Sequence, residues 1–188
     1  MEFFKKLSAN TDFPFCYNLL PHFAAGEGDI KTHMTFVEDG LADGRIKTFL
    51  ISDQPTYSRS FFTLQLAKEI LAAGGEPVVS LALAGNNRES ALNKLKDYRL
   101  AGVQEFLFVT GNYLVSTENE TASQTFDIDS VQLLMLLENH QDAEGITKGC
   151  VVSPFKTLES EQVWQYEKLK RKISVGADFV ITQQGYDL

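Results

Sequence analysis

Six short apolar runs, separated by longer segments of helical periodicity, are the feature that most constrains the fold of this chain. Runs that are apolar on both faces are typical of strands buried in a parallel sheet. The predicted strands are residues 13–20, 46–52, 77–83, 105–110, 148–153 and 178–182.

Helical segments fill the intervals between these runs. The sequence predicts helices over 59–73, 88–101, 129–139 and 159–175, with a weaker one over 29–41 that Gly and Asp dilute. Asn87 is the expected N-cap of the second, with Glu89 in its first turn. The β-α alternation is that of parallel α/β folds, and a doubly wound sheet and a barrel both fit it. No GxGxxG follows the first strand, which disfavours a dinucleotide-binding Rossmann fold.

Length and composition limit the fold and the partners. The 188 residues, 44% hydrophobic, suit a single domain over 1–188. A complete (β/α)8 barrel usually needs ~250 residues, so we expect six βα units, with the last strands missing. The net charge of −8 argues against nucleic-acid binding. No signal peptide or membrane-spanning run is visible, which favours a cytoplasmic protein. Cys16 and Cys150 both lie in apolar runs, so we expect them to be buried, reduced thiols.

A barrel keeps its active site at the carboxyl ends of its strands. The polar residues expected at these ends are Asn18, His22, Asp53, Gln54, Thr56, Asn86, Asn87, Thr110, Gly111, Asn112, Ser153, Lys156, Thr157, Thr182, Gln183 and Gln184. The set is rich in amides, and Asp53 is its obvious carboxylate. It contains no hydrolytic triad, glycosidase carboxylate pair or metal-binding cluster. Amides suit hydrogen bonding to a flat heterocycle such as a flavin or a pterin.

The end of the sequence carries a family resemblance. Residues 169–187, LKRKISVGADFVITQQGYD, are similar to a helix and strand of the methylenetetrahydrofolate reductase family, of the type LKxKxxAGA followed by xxITQxxFD. Weaker similarities occur, in the family's order, at 59–70, 85–95, 102–111 and 126–131. The resemblance implies a (β/α)8 barrel that binds FAD. It also implies reduction of 5,10-methylenetetrahydrofolate to 5-methyltetrahydrofolate with NAD(P)H.

The same resemblance assigns roles to individual positions. Gln183 matches a glutamine that contacts folate and the nicotinamide. Arg171 and Lys172 match basic positions that hold the FAD phosphates or ribose. Thr110, Gly111 and Asn112 occupy the place of the RGD triplet near the flavin ring, and Asp127 occupies a backbone-contact position of the flavin site.

Several positions depart from the family pattern. Asn18 stands where the family has a glutamate proton donor, and an amide cannot supply that proton. Asp53 is then the nearby carboxylate that could substitute, so Asn18 and Asp53 are the catalytic candidates. Family side chains are also replaced at Ser80, Ser153 and Thr157.

These departures leave three hypotheses. The first is a reductase that acts on a reduced folate. The second is a folate- or flavin-binding relative that lacks reductase activity and serves in methyl transfer or regulation. The third is an inactive truncated barrel. A homo-oligomer or a partner subunit is compatible with each hypothesis. For the structure, we expect six parallel strands in an open arc, with Asn18, Asn112 and Gln183 converging on one concavity.

Overall fold

Strands and helices alternate along the whole described chain. The computed structural model describes residues 15–20, 27–52, 57–111 and 127–183. The strands are β1 Phe15–Leu19, β2 Ile46–Ser52, β3 Glu76–Ala82, β4 Glu105–Val109, β5 Thr147–Val152 and β6 Phe179–Thr182. The helices are α1 Glu27–Asp43, α2 Tyr57–Ala72, α3 Arg88–Leu100, α4 Ser130–Leu137 and α5 Glu159–Ser174, with a short 3₁₀ helix at Gln141–Ala143.

The predicted elements are all confirmed, with shifts of a few residues at their ends. The largest difference is in α1, which extends beyond the predicted 29–41 at both ends. The predicted N-cap of α3 is also confirmed, because Asn87 Oδ1 accepts a hydrogen bond of 2.8 Å from the backbone N–H of Ser90. Among the described helices, none is long and apolar enough to cross a membrane.

The six strands form one sheet in the order β1-β2-β3-β4-β5-β6, and every neighbouring pair is parallel. A doubly wound sheet would reverse its strand order partway, whereas a barrel adds each new strand on the same side. The prediction of an open arc of a (β/α)8-type barrel is therefore confirmed. Within the described sheet, β1 and β6 are the edge strands, since each pairs with a single neighbour.

The main core lies between the strands and the helices. Phe49, Leu81 and Phe108, on the helix side of β2, β3 and β4, are completely buried, as are Leu66 of α2 and Leu95 of α3. Burying a side chain of this size stabilises a fold by about 1.5–3 kcal/mol. This layer fixes each strand against the helices, and thereby fixes the carboxyl ends of the strands at which barrels place their sites.

The two cysteines occupy different environments. Cys150, on the helix side of β5, is fully buried in the core, as expected. Cys16 is exposed, so the expectation that both thiols are buried is wrong for this one. The physical reason is its place on an edge strand. Alternation along β1 turns Cys16 to the face opposite Tyr17 and the helices, on the concave side of the arc.

Two carboxylates, Glu76 and Glu105, begin adjacent strands on the concave side. The side-chain alternation of β3 and β4 turns both away from the helix layer. Glu76 Oε2 accepts a hydrogen bond of 3.3 Å from Thr48 Oγ1, and Glu105 is 3% exposed. Burial raises the pKa of the Glu105 carboxyl above its usual range, and the neighbouring charge of Glu76 acts in the same direction.

We expect Glu105→Gln to stabilise the protein at pH 8. A carboxyl whose pKa is higher in the folded than in the unfolded protein costs the fold no stability at pH values below its unfolded pKa, where it is protonated in both states. As the pH rises through the folded pKa, the buried group becomes charged and the free energy of unfolding falls. The gain in unfolding free energy should therefore be largest at pH 8 and should vanish near pH 4. Urea unfolding at both pH values measures it, with the exposed Glu138→Gln as control. A variant less stable than the parent at pH 8 would contradict the expectation.

Candidate functional site

The ends of β3 and β4 are held together on the carboxyl side of the sheet. The carbonyl of Thr110 accepts a hydrogen bond of 2.8 Å from the backbone N–H of Ala84. Its hydroxyl lies 3.3 Å from that of Ser130, the first residue of α4. Gly111 has a φ of +85°, and a Cβ there would lie 3.0 Å from the Ala84 Cβ. Glycine therefore suits this position for both its backbone conformation and its small size.

The approach to α4 is fixed by two aspartates. Asp127 Oδ2 accepts a hydrogen bond of 2.9 Å from the backbone N–H of Arg88, which ties this segment to the start of α3. Asp129 forms a capping box with Gln132, in which each side chain accepts a 2.8 Å hydrogen bond from the other's backbone N–H. Three predicted cofactor positions, Thr110, Gly111 and Asp127, thus lie at one end of the barrel around the start of α4.

The candidate residues on the two edge strands also lie at that end. Asn18 is the penultimate residue of β1, and its partner in register is Leu50, so it faces the concave side. Gln183 directly follows β6, and its backbone N–H donates a 2.8 Å hydrogen bond to the carbonyl of Val152. Both residues are exposed. Asp53 and Asn112 lie outside the described residues, so the convergence of Asn18, Asn112 and Gln183 remains a prediction.

Arg171 and Lys172 are adjacent in sequence but have different surroundings. Lys172 is half-buried, and its Nζ donates a 2.8 Å hydrogen bond to the carbonyl of Val151 in β5. Burial lowers the pKa of the Lys172 ammonium, and burial likewise raises the pKa of the neighbouring Cys150 thiol. Arg171, in contrast, is exposed and lines a groove between α4 and α5. The structure therefore separates the two predicted cofactor-binding cations.

This groove, which we call the α4–α5 groove, has a volume of about 610 Å³. Its α4 wall includes Gln132 and Met135, and its α5 wall includes Trp164, Lys168 and Arg171. Trp164 is 62% exposed. An open indole face can stack on an aromatic ring, and Lys168 and Arg171 can bind phosphate groups. The lining also contains Asp129 and the ion pair of Lys170 with Glu167, whose nitrogen and oxygen lie 2.6 Å apart. The groove therefore has the chemistry to hold an aromatic anion such as a nucleotide.

Sequence reasoning missed Trp164, Lys168 and Gln132. A signal was present, because residues 164, 168 and 171 follow the i, i+4, i+7 spacing that places side chains on one helical face. The opposing wall on α4 could not be read in this way. Within the ranges that the structure covers, no three His, Cys, Asp or Glu side chains are grouped so that they could hold a metal ion.

Comparison with protein families identifies the family of the chain. The model of the methylenetetrahydrofolate reductase family matches residues 49–188. The chain belongs to the methylenetetrahydrofolate reductase family. The matched region contains the end of β2, all of β3 to β6 and both walls of the α4–α5 groove. A search of curated proteins finds no match to the chain.

Solved structures with a similar fold include the tryptophan synthase of Mycobacterium tuberculosis. One such structure is 16% identical with a TM-score of 0.54, covering 96% of this chain and 66% of that chain. The aminoacrylate-bound form has the same identity and TM-score, and the match covers 69% of its chain. The aminoacrylate- and BRD0059-bound form is 15% identical with a TM-score of 0.52. This likeness concerns the fold alone, and the chain spans about two thirds of the length of these neighbours.

Proposed function

We propose that the protein is a cytoplasmic flavoprotein that reduces 5,10-methylenetetrahydrofolate to 5-methyltetrahydrofolate with NAD(P)H. The observation that carries the proposal is the family match over residues 49–188. The clustering of Thr110, Gly111 and Asp127 at the carboxyl end of the barrel supports it, because barrels place their chemistry at that end.

The α4–α5 groove is the proposed binding site for the adenosine diphosphate half of FAD. Arg171 and Lys168 are suited to the phosphates, and Trp164 offers a face for the adenine ring. Lys172 does not line the groove, and its Nζ donates one hydrogen bond to the carbonyl of Val151. An ammonium has three donors, so its proposed contact with the cofactor would use one of the other two. Thr110, Gly111, Asn112 and Asp127 are then proposed to contact the flavin end. When bound, FAD supplies hydride transfer between NAD(P)H and the folate.

The folate is proposed to bind at Gln183. A carboxamide offers a donor and an acceptor side by side, which matches the alternating edge of a pterin ring. Asn18 faces the same concave side from β1 and can position the substrate through hydrogen bonds, although it cannot donate a proton as an acid. Asp53 is the proposed substitute donor.

A second candidate function is favoured by Asn18 itself. A relative that binds flavin and folate without reducing the folate would keep the α4–α5 groove and Gln183 but would need no proton donor at the end of β1. Such a protein would act in methyl transfer or in regulation. The two candidates predict the same ligands and differ only in turnover.

The experiment has two stages. FAD is first titrated into the purified protein while the fluorescence of Trp164, the single tryptophan of the chain, is recorded. Formation of 5-methyltetrahydrofolate from 5,10-methylenetetrahydrofolate is then followed with NADH and with NADPH. Quenching and turnover together support the reductase, and quenching without turnover favours the second candidate. A protein that shows neither quenching by FAD nor turnover would refute both.

We expect Arg171→Ala and Lys168→Ala each to weaken FAD binding by about tenfold. Charge-assisted contacts to phosphate contribute roughly 1.5–3 kcal/mol, and partial exposure of the groove reduces this toward the lower end. The same Trp164 fluorescence titration measures the change. Lys96→Ala, an exposed cation on α3, is the matched control and should leave FAD affinity unaltered. Equal affinities for all four proteins would remove the groove from the proposed FAD site.

A further inference from the structure

Asp129 brings a negative charge to the α4–α5 groove and forms no ion pair within the described part of the chain. It immediately precedes α4, lines the groove and is half-buried. Its Oδ1 accepts the capping hydrogen bond from the backbone N–H of Gln132, and its Oδ2 accepts none from the residues that the structure describes. The other carboxylate of the lining, Glu167, is paired with Lys170. Asp129 Oδ2 is therefore an acceptor that a ligand in the groove can use.

The cations near Asp129 differ in what they can contact. Lys168 and Arg171 line the groove from α5 and are exposed, whereas Lys172 is half-buried and donates to the carbonyl of Val151. Burial lowers the pKa of the Lys172 ammonium, and the nearby charge of Asp129 acts in the opposite direction, so the carboxylate lies close to α5. A nucleotide in the groove therefore meets two cations on the α5 wall and one anion on the α4 wall.

We propose that Asp129 determines which nucleotide the groove accepts, by accepting a hydrogen bond from the ribose 2′-hydroxyl and repelling a 2′-phosphate. The inference rests on the proposed function, in which this groove binds the adenosine diphosphate half of FAD. In that half the ribose lies between the adenine ring and the phosphates, whose proposed contacts are all on α5. A carboxylate is a strong acceptor for a sugar hydroxyl, and nucleotide sites use one in this way to select an unphosphorylated ribose.

A phosphate on the 2′-oxygen would lose this hydrogen bond and gain a repulsion. The 2′-phosphate and Asp129 are both anionic at pH 7, and Lys168 and Arg171 are already engaged by the two phosphates of the adenosine diphosphate half. Like charges placed side by side in a binding site oppose binding and exclude the wrong ligand. The groove therefore accepts the adenosine of FAD and rejects that of NADPH, which assigns the cofactor and this reductant to separate sites.

The test is a calorimetric titration of the protein with two nucleotides, adenosine 5′-diphosphate and adenosine 2′-phosphate 5′-diphosphate. They differ only at the 2′ position that Asp129 is proposed to contact. The parent should bind the first about tenfold more tightly than the second, or better. Asp129→Asn keeps an oxygen acceptor and a good N-cap for α4 but removes the charge. In this variant the preference should fall to about twofold or less, mainly through tighter binding of the 2′-phosphorylated nucleotide.

Asp97→Asn is the matched control, since Asp97 is an exposed carboxylate on α3 and does not line the groove. It should retain the preference of the parent, and circular dichroism should show both variants folded. Equal binding of the two nucleotides by the parent, or an undiminished preference in Asp129→Asn, would overturn the role of Asp129 without removing the groove from the proposed FAD site. A parent that binds neither nucleotide would overturn the groove as a nucleotide site, and this inference with it.

Discussion

Gly149→Val is expected to destabilise the protein by about 3 kcal/mol or more, near the upper end of the range for overpacked cores. A Cβ at position 149 would overlap the ring of Phe179, the register partner of Gly149 on the adjacent strand β6. The half-buried ring of Phe179 would have to turn away from β5, and its packing on that strand would be lost. Because native domains are stable by only about 5–15 kcal/mol, this loss would remove a large fraction of the free energy of unfolding. Urea unfolding monitored by circular dichroism measures the loss.

Two further variants make this result specific. Gly40→Ala in α1 places its Cβ 3.4 Å from Ile46, an ordinary contact, and should stabilise the helix by up to about 1 kcal/mol. Phe179→Ala combined with Gly149→Ala should be more stable than Gly149→Ala alone, because the overlap is removed. If Gly149→Val unfolds at the urea concentration of the parent, the packing of Phe179 against β5 is not as described.

Asn18→Glu is expected to raise turnover of 5,10-methylenetetrahydrofolate by about 10²–10⁴-fold. Opening the methylene bridge requires a proton on the folate nitrogen, and a carboxylic acid at the end of β1 can supply it where an amide cannot. The gain should be greatest below the pKa of the introduced carboxyl, where the acid form predominates. Steady-state rates measured from pH 5 to pH 8 test both the size and the direction of the effect.

The controls for Asn18→Glu separate acid catalysis from a change of shape. Asn18→Gln lengthens the side chain but keeps the amide, and it should not increase the rate. Asp53→Asn removes the alternative carboxylate and should lower whatever rate the parent has. If the parent turns over at a rate ordinary for enzymes and Asp53→Asn leaves it unchanged, the position of the proton donor has been assigned wrongly.

The fold could be predicted from sequence because its signals are local. Strands that are apolar on both faces, such as β3 and β4, appear as continuous runs, and the N-cap of α3 is visible as Asn87. The choice between barrel and doubly wound sheet depended on the family resemblance, since alternation fits both. The exposure of Cys16 was missed because an apolar run does not reveal that its strand lies at the edge of the sheet.

The candidate site was less accessible to sequence reasoning. Asn18 and Gln183 could be placed at the same end of the barrel from the sequence. Both lie at the carboxyl ends of parallel strands, and those ends all point the same way. The α4–α5 groove depends on how far apart two helices pack, which no one-dimensional pattern contains. Arg171 faces the groove and Lys172 faces β5 because consecutive residues of a helix point in different directions. Which direction faces β5 depends on how α5 packs, and the sequence does not show this.

Helix α5 has no fully buried residue, and two of its contacts with the strand side are hydrogen bonds. Gln165 Oε1 accepts one from the backbone N–H of Ser153, and Lys172 Nζ donates the other to the carbonyl of Val151. A helix held in this way has little apolar burial to oppose its opening, so its amides should exchange through a local transition of lower free energy than global unfolding. One wall of the α4–α5 groove should therefore open more readily than α2, in which Leu66 and Ile70 are completely buried. A ligand that bridges both walls would raise the free energy of that opening, so that occupancy of the groove and order in α5 become thermodynamically linked.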